Sequence, residues 1–146
     1  MKASFAFVTV TATLLAGCSY LPSGPTAHPL TGKTWRLTEV ETEGGTTRLT
    51  RAQQATHTIR FNTDGTMQLQ LDCNNGTATW NGAEPVRGEG YLNISAVAST
   101  RALCPPPTWG NDLALDLPST TSYSIAPNGR SIRITARRVS FGFEAQ

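Results

Sequence analysis

Three cysteines and two histidines are the residues of this sequence best suited to chemistry: Cys18, Cys73, Cys104, His28 and His57. Thiols and imidazoles act as nucleophiles, bases or metal ligands, and two thiols can form a disulfide. The sequence contains no Cys-x-x-Cys pair and no Gly-x-Ser-x-Gly nucleophile turn, which are signatures of redox enzymes and hydrolases. A metal site would need more ligands than one cysteine pair and one nearby histidine supply. We therefore predict no catalytic site, no metal and no cofactor.

Residues 1–18 have the pattern of an export signal. A positively charged start, Met1-Lys2, precedes the run of apolar residues and threonines at 5–16. The run ends in Leu15-Ala16-Gly17-Cys18, which resembles the lipobox of bacterial lipoproteins, where acyl chains such as palmitate are attached to the cysteine. The resemblance implies a lipoprotein signal peptide over residues 1–17 and lipidation of Cys18. The alternative is a secretory signal cut by ordinary signal peptidase, which also requires small residues at the cleavage site.

Residues 18–29 are predicted to form a flexible tether behind the lipidated cysteine. Three prolines and a glycine in this segment exclude regular secondary structure, and His28 within it is expected to be solvated. By the same resemblance, Ser19 after the cysteine implies export to the outer membrane, with the domain facing the periplasm. The lipid anchor is thus the predicted membrane contact.

The remaining chain, residues 30–146, reads as one small β domain. Short stretches alternate apolar and polar residues, and turn sequences separate them at regular spacing. The clearest hairpin joins residues 57–62 to 67–71 through Asp64-Gly65, whereas residues 46–55 fit either a strand or a loop. One helix is predicted at 108–117, ended by Pro118. The fold class is mainly β: a small antiparallel barrel or strongly curved sheet of seven to eight strands with one short helix.

Two segments carry a family resemblance, Asp72-Cys73-Asn74-Asn75-Gly76 and Ser99-Thr100-Arg101-Ala102-Leu103-Cys104-Pro105. Together with the start of the first strand, they resemble the paired signatures of the META-domain (HslJ-like) family. The resemblance covers roughly residues 30–143 and implies a lipocalin-like β-barrel in the bacterial envelope, associated with stress response and envelope integrity but with no defined activity.

If Cys18 carries lipid, two thiols remain outside the cytoplasm, and the favoured interpretation is a structural disulfide between Cys73 and Cys104. A redox or metal-binding pair is the rival interpretation. We expect the asparagines of the first segment, Asn74 and Asn75, to stabilise a turn through left-handed backbone geometry.

Asp72, Asn74, Asn75 and Arg101 are the candidate binding residues. Arg101 is expected either to pair with Asp72 or to frame an anion-binding mouth. His57 would be the base of any hydrolase triad, but we expect it to face outward, solvated or packed in a turn. The alternating glutamates at 39–43 are expected to lie on the solvent face. Arg133, Arg137 and Arg138 are expected to be strand-edge or turn charges.

The small net charge of +2 gives no electrostatic footprint for nucleic acid, and no apolar run is long enough to span a membrane. We therefore predict a non-enzymatic, anchored envelope protein that binds another envelope component. The alternative is a carrier that holds a small apolar ligand in its barrel. Bulky residues on the predicted inward faces argue for a filled interior instead: Trp35, Phe61, Trp80, Phe141 and Phe143.

Overall fold

The computed structural model describes residues 27–146, which form ten β-strands and two short α-helices. The strands are β1 (Thr34–Thr42), β2 (Gly45–Arg48), β3 (His57–Phe61), β4 (Thr66–Leu71), β5 (Asn74–Gly82), β6 (Glu89–Ile94), β7 (Ala98–Ser99), β8 (Ser122–Ile125), β9 (Ser131–Thr135) and β10 (Val139–Ala145). Helix α1 is Arg51–Thr56 and α2 is Gly110–Asp116.

Eight of these strands close into an antiparallel barrel. Neighbours pair in the order β1-β3-β4-β5-β6-β8-β9-β10, and β10 pairs with β1 to complete the ring. Two extra strands lie outside it, since β2 pairs with β1 and β7 pairs with β5. The predicted class, a mainly β small antiparallel barrel, is confirmed.

The β3–β4 hairpin is the part of the fold that local sequence determines most directly. Its register pairs Ile59 with Leu69 and Phe61 with Met67, all buried. At the turn, Gly65 has a φ of 81°, and the carboxylate of Asp64 accepts hydrogen bonds from the hydroxyl and backbone N–H of Thr66. These two bonds lower the pKa of Asp64. The predicted hairpin is confirmed.

Helix α1 lies in the segment at 46–55, which was expected to be a strand or a loop; that expectation is wrong for residues 51–55. The segment holds β2 and most of α1, and the helix begins with a capping box between Thr50 and Gln53. The Thr50 hydroxyl accepts from the backbone N–H of Gln53, while the Gln53 side chain accepts from the N–H of Thr50. The Thr-x-x-Gln spacing is the signal that would have predicted this helix.

Helix α2 covers one end of the barrel and is shorter than predicted at both ends: it begins at Gly110, and Leu117–Ser119 forms a separate 3₁₀ turn. Pro118 lies early in that turn, where its missing N–H costs no hydrogen bond. Leu113 and Leu117 are fully buried. The helix approaches β4 so closely that a Cβ at Gly110 would lie 2.5 Å from the carbonyl oxygen of Leu71.

Inward side chains fill the barrel. The largest that are fully buried include Trp35, Phe61, Phe141, Phe143 and Tyr123. Within residues 27–146, no helix has both the length and the apolar character that crossing a membrane demands.

Candidate functional site

The two family segments meet at the end of the barrel where β4 passes into β5. Asp72 takes the left-handed backbone conformation there, with a φ of 62°, and its N–H donates to the carbonyl of Thr56. A disulfide joins Cys73 to Cys104, with 5.6 Å between their Cα atoms. It attaches the long connection between β7 and α2 to the end of the barrel.

Asn74 is buried between the two segments, and its side chain connects them. The amide oxygen accepts from the backbone N–H of Ala102 at 2.7 Å and from the Thr100 hydroxyl at 2.9 Å. The amide nitrogen donates to the carbonyl of Ala102 at 2.9 Å and to Sγ of Cys104 at 3.2 Å. The side chain of Asn74 therefore both donates to and accepts from the backbone of Ala102, as the backbone of a paired strand would.

The expectation that the asparagines provide the left-handed turn is wrong. Asp72 provides it, and both Asn74 and Asn75 already belong to β5. The side chain of Asn75 is exposed on the outer face of that strand, while its backbone N–H donates to the Thr100 hydroxyl.

The expected pairing of Arg101 with Asp72 is also wrong. Among residues 27–146 the ion pairs are those of Arg133 with Glu39 and Glu41, so Arg101 is exposed and makes no salt bridge in the described part. Of the candidate binding residues, Asn74 holds the two segments together, whereas Asn75 and Arg101 face solvent. Leu103, beside the disulfide, is fully exposed.

His57 is buried, with 1% of its surface exposed, so the expectation that it faces outward is wrong. Nδ1–H donates to the carbonyl of Gln53 at 2.7 Å, and Nε2 accepts from the backbone N–H of Trp109 at 3.0 Å. A carbonyl can only accept and an N–H can only donate, so these partners require the neutral ring with its proton on Nδ1. Both nitrogens are engaged, and the ring joins the end of α1 to the start of α2.

An open cleft of about 560 Å³ lies beside α2, between that helix and the ends of β1 and β10. Its walls include Trp109, Asp112 and Asp116. Burial raises the pKa of Asp112, and the neighbouring carboxylate of Asp116 raises it further. Across residues 27–146, no three His, Cys, Asp or Glu side chains come together as a metal site.

The side chain of Arg133 on β9 reaches across Gly142 on β10 to two glutamates on β1. Its guanidinium pairs with the carboxylates of Glu39 and Glu41, the latter at 2.6 Å. Gly142 lies between Glu39 and Arg133 in the β1–β10–β9 register, and a Cβ there would lie 2.5 Å from Cγ of Glu39. Arg133 therefore bridges paired strands within the barrel wall, and its expected role as a strand-edge charge is wrong.

The chain enters the barrel at the end opposite the disulfide. Leu30 is completely buried and its carbonyl accepts from the indole N–H of Trp35. The ring of His28 packs edge-on against Trp80, with 5.1 Å between centroids, and its Nε2 donates to the carbonyl of Ala83. The expectation that His28 is solvated is wrong, because burial of Leu30 brings the ring onto the barrel.

Tyr123 lies under this entry point, and its hydroxyl donates to the carbonyl of Ala83 at 2.9 Å. Burial, with a smaller effect from Glu84, raises the pKa of Tyr123 to about 12.

In the unfolded chain the phenol of Tyr123 has a pKa of about 10. Its contribution to stability is therefore complete below that pH and is lost as the pH rises towards 12. We expect Tyr123→Phe to flatten the fall of stability as the pH rises from about 10 towards about 12, as measured by urea unfolding. Equal slopes in both proteins would contradict this account.

Comparison with known proteins gives a family match and structural matches. The model of the META domain matches residues 28–143. An NMR structure of a protein from Burkholderia xenovorans is similar, with a TM-score of 0.55 and 14% identity, covering 92% of this chain and 99% of that one. So is the crystal structure of a DUF4847 family protein from Bacteroides vulgatus, with a TM-score of 0.52 and 15% identity, covering 79% and 93%. At these identities the two structures show a shared fold. No curated protein matches.

Proposed function

Since this chain belongs to the META-domain family, we propose that it is a lipid-anchored, non-enzymatic protein of the bacterial envelope that binds another envelope component through its outer surface. Its setting is envelope integrity under stress. The observation that carries the proposal is the filled barrel, whose interior is occupied by side chains such as Trp35, Phe61 and Phe143. A partner is therefore accommodated on the outside.

The proposed anchor agrees with the end of the barrel at which the chain enters the domain. Cys18 lies outside the described residues, but the chain behind it enters at Leu30, where the barrel end is formed by Phe61 and Trp80. The disulfide lies at the other end of β4 and β5. An anchored domain thus has its disulfide end, with exposed Arg101 and Leu103, directed away from the attachment point.

Two observations support a role without catalysis. His57, the residue a hydrolase triad would need as base, has both ring nitrogens occupied by backbone groups. The cysteines that a redox site would use are joined by a disulfide whose cross-linked segments are further held by Asn74. Both arrangements stabilise the fold.

Cys18→Ala is expected to abolish lipidation, so that the mature membrane-bound species disappears. Globomycin, which blocks the lipoprotein signal peptidase, is expected to make an unprocessed precursor of the wild-type chain accumulate. Fractionation and immunoblotting measure both, with Ser19→Ala as the matched control that keeps the anchor. The same membrane-bound mature species from Cys18→Ala would contradict the lipoprotein assignment.

Binding is tested separately in intact cells. A photoreactive amino acid is placed at exposed positions, Leu103 on the disulfide loop and Gln68 on β4, and at buried Ile134 as the control. We expect covalent adducts from at least one exposed position and none from Ile134. Irradiation that yields no adduct from either exposed position would contradict a surface-binding role.

A further inference from the structure

The ring of His57 connects the barrel to the segment that leads into α2. Nε2 accepts from the backbone N–H of Trp109 at 3.0 Å, and the Thr108 hydroxyl lies 3.5 Å from the same nitrogen. That hydroxyl accepts from the N–H of Gly110, so its own hydrogen is available for Nε2. Both neighbours of Nε2 are therefore donors, and neither can accept a hydrogen from it in this arrangement.

A second proton on the ring would have no partner in this arrangement. Nδ1 already carries the hydrogen that it donates to the carbonyl of Gln53, so the added proton must go to Nε2, where it would face the N–H of Trp109. Water cannot accept it, because only 1% of the His57 surface is exposed. A protonated ring and the bond to Trp109 therefore exclude each other.

The start of α2 depends on this bond. The helix has seven residues, too few to persist without docking, and its N-cap residue Trp109 has no hydrogen bond from a capping side chain. Beyond the first turn the helix is held by buried Leu113, and before it the chain is held by the disulfide at Cys104. His57 holds the segment between these two points, where Gly110 lies against Leu71.

No charged side chain offsets a positive charge on the ring. The charged residues on the elements around it are Arg51 of α1, Arg60 of β3, Asp72 after β4, Arg101 before the disulfide, and Asp112 and Asp116 of α2. Within residues 27–146 the ring bonds only backbone groups and threonine hydroxyls. A protonated ring would thus lack the carboxylate partner that a buried charge requires.

We propose that His57 is a pH-sensitive switch. In acid the ring takes up a proton at Nε2, its bonds to Trp109 and Thr108 break, and the start of α2 leaves the barrel end and uncovers Leu71 while the strands stay paired. A solvated imidazole is protonated below about pH 6.5. The released form then binds one proton more than the closed form, so the closed form is fully favoured above that pH and is lost as the pH falls below it. This inference goes beyond the proposed function and does not depend on the anchor.

Hydrogen exchange of the purified full chain, measured by NMR at pH 7.5 and 5.0, tests the switch. Protection factors are compared, because they correct for the pH dependence of intrinsic exchange. The amide of Trp109 reports on release, and that of Ile134, buried in the middle of β9, reports on unfolding of the barrel. His57→Gln offers a donor and an acceptor but cannot titrate. Asp112→Asn removes the carboxylate in the first turn of α2, which also titrates in acid.

We expect the protection of Trp109 to fall about 30-fold from pH 7.5 to 5.0 in the wild type, with Ile134 unchanged. Asp112→Asn should show the same fall, whereas His57→Gln should give Trp109 equal protection at both pH values. Nitrogen-15 spectra of the wild type should show His57 becoming doubly protonated over the same pH range, a readout that needs no variant. Constant protection of Trp109, a parallel fall at Ile134, a fall that persists in His57→Gln or vanishes in Asp112→Asn, or a ring that stays neutral at pH 5.0 would overturn the proposal.

Discussion

Replacing Cys73 and Cys104 together by serine is expected to lower the free energy of unfolding by about 2–5 kcal/mol. The disulfide closes a loop of 31 residues, and on the loop-entropy model opening such a loop gives the unfolded chain about 3.7 kcal/mol of additional conformational entropy. The contacts of Asn74 with Ala102 remain in the variant, so the loop loosens while the barrel persists. Urea unfolding of the full chain measures the loss.

Two controls make this result specific. Reductant should lower the stability of the wild-type protein to that of the double serine variant and leave the variant unchanged. Maleimide labelling of the native, unreduced protein should find neither Cys73 nor Cys104 free. Complete labelling of both without reductant would refute the bridge and revive the redox interpretation of the pair.

His57→Phe is expected to lower the free energy of unfolding by about 2–6 kcal/mol. Phenylalanine keeps most of the ring volume but leaves the carbonyl of Gln53 and the N–H of Trp109 without their partners, and each buried unpaired group costs about 1–3 kcal/mol. The amide of Trp109 should also lose protection from hydrogen exchange, because its acceptor is gone. Urea unfolding and exchange measured on the same samples give both quantities.

The matched control is the neighbouring Thr58→Ala, on the outer face of the same strand. It should change stability by no more than about 0.5 kcal/mol. A His57→Phe variant as stable as the wild type, with Trp109 still protected, would show that the two ring nitrogens do not hold the helices.

The barrel strands were predictable because their information is local. Alternation in residues 57–71 places Ile59, Phe61, Met67 and Leu69 inward, and Asp64-Gly65 marks the turn. The same alternation also places His57 inward, in step with Ile59 and Phe61. The outward assignment failed because a polar residue was expected at the surface, although two backbone partners make its burial favourable.

The contacts that connect distant segments were not predictable from the sequence. Closure of the barrel requires β1 to pair with β10, and Asn74 bonds Ala102, which lies 28 residues away. Arg133 reaches Glu39 only because Gly142 separates them on the outer face. Such contacts depend on the relative register of strands that are far apart in the chain, and local patterns carry no information on it.

Native mass spectrometry of the full chain, extracted from membranes in mild detergent, tests whether this is an anchored protein with a filled barrel that binds on its surface. We predict a mass equal to residues 18–146 with two hydrogens removed by the disulfide and acyl chains attached at Cys18, and no further bound small molecule. Release of a stoichiometric apolar ligand on activation in the gas phase would require a hollow interior and would establish the carrier function in its place.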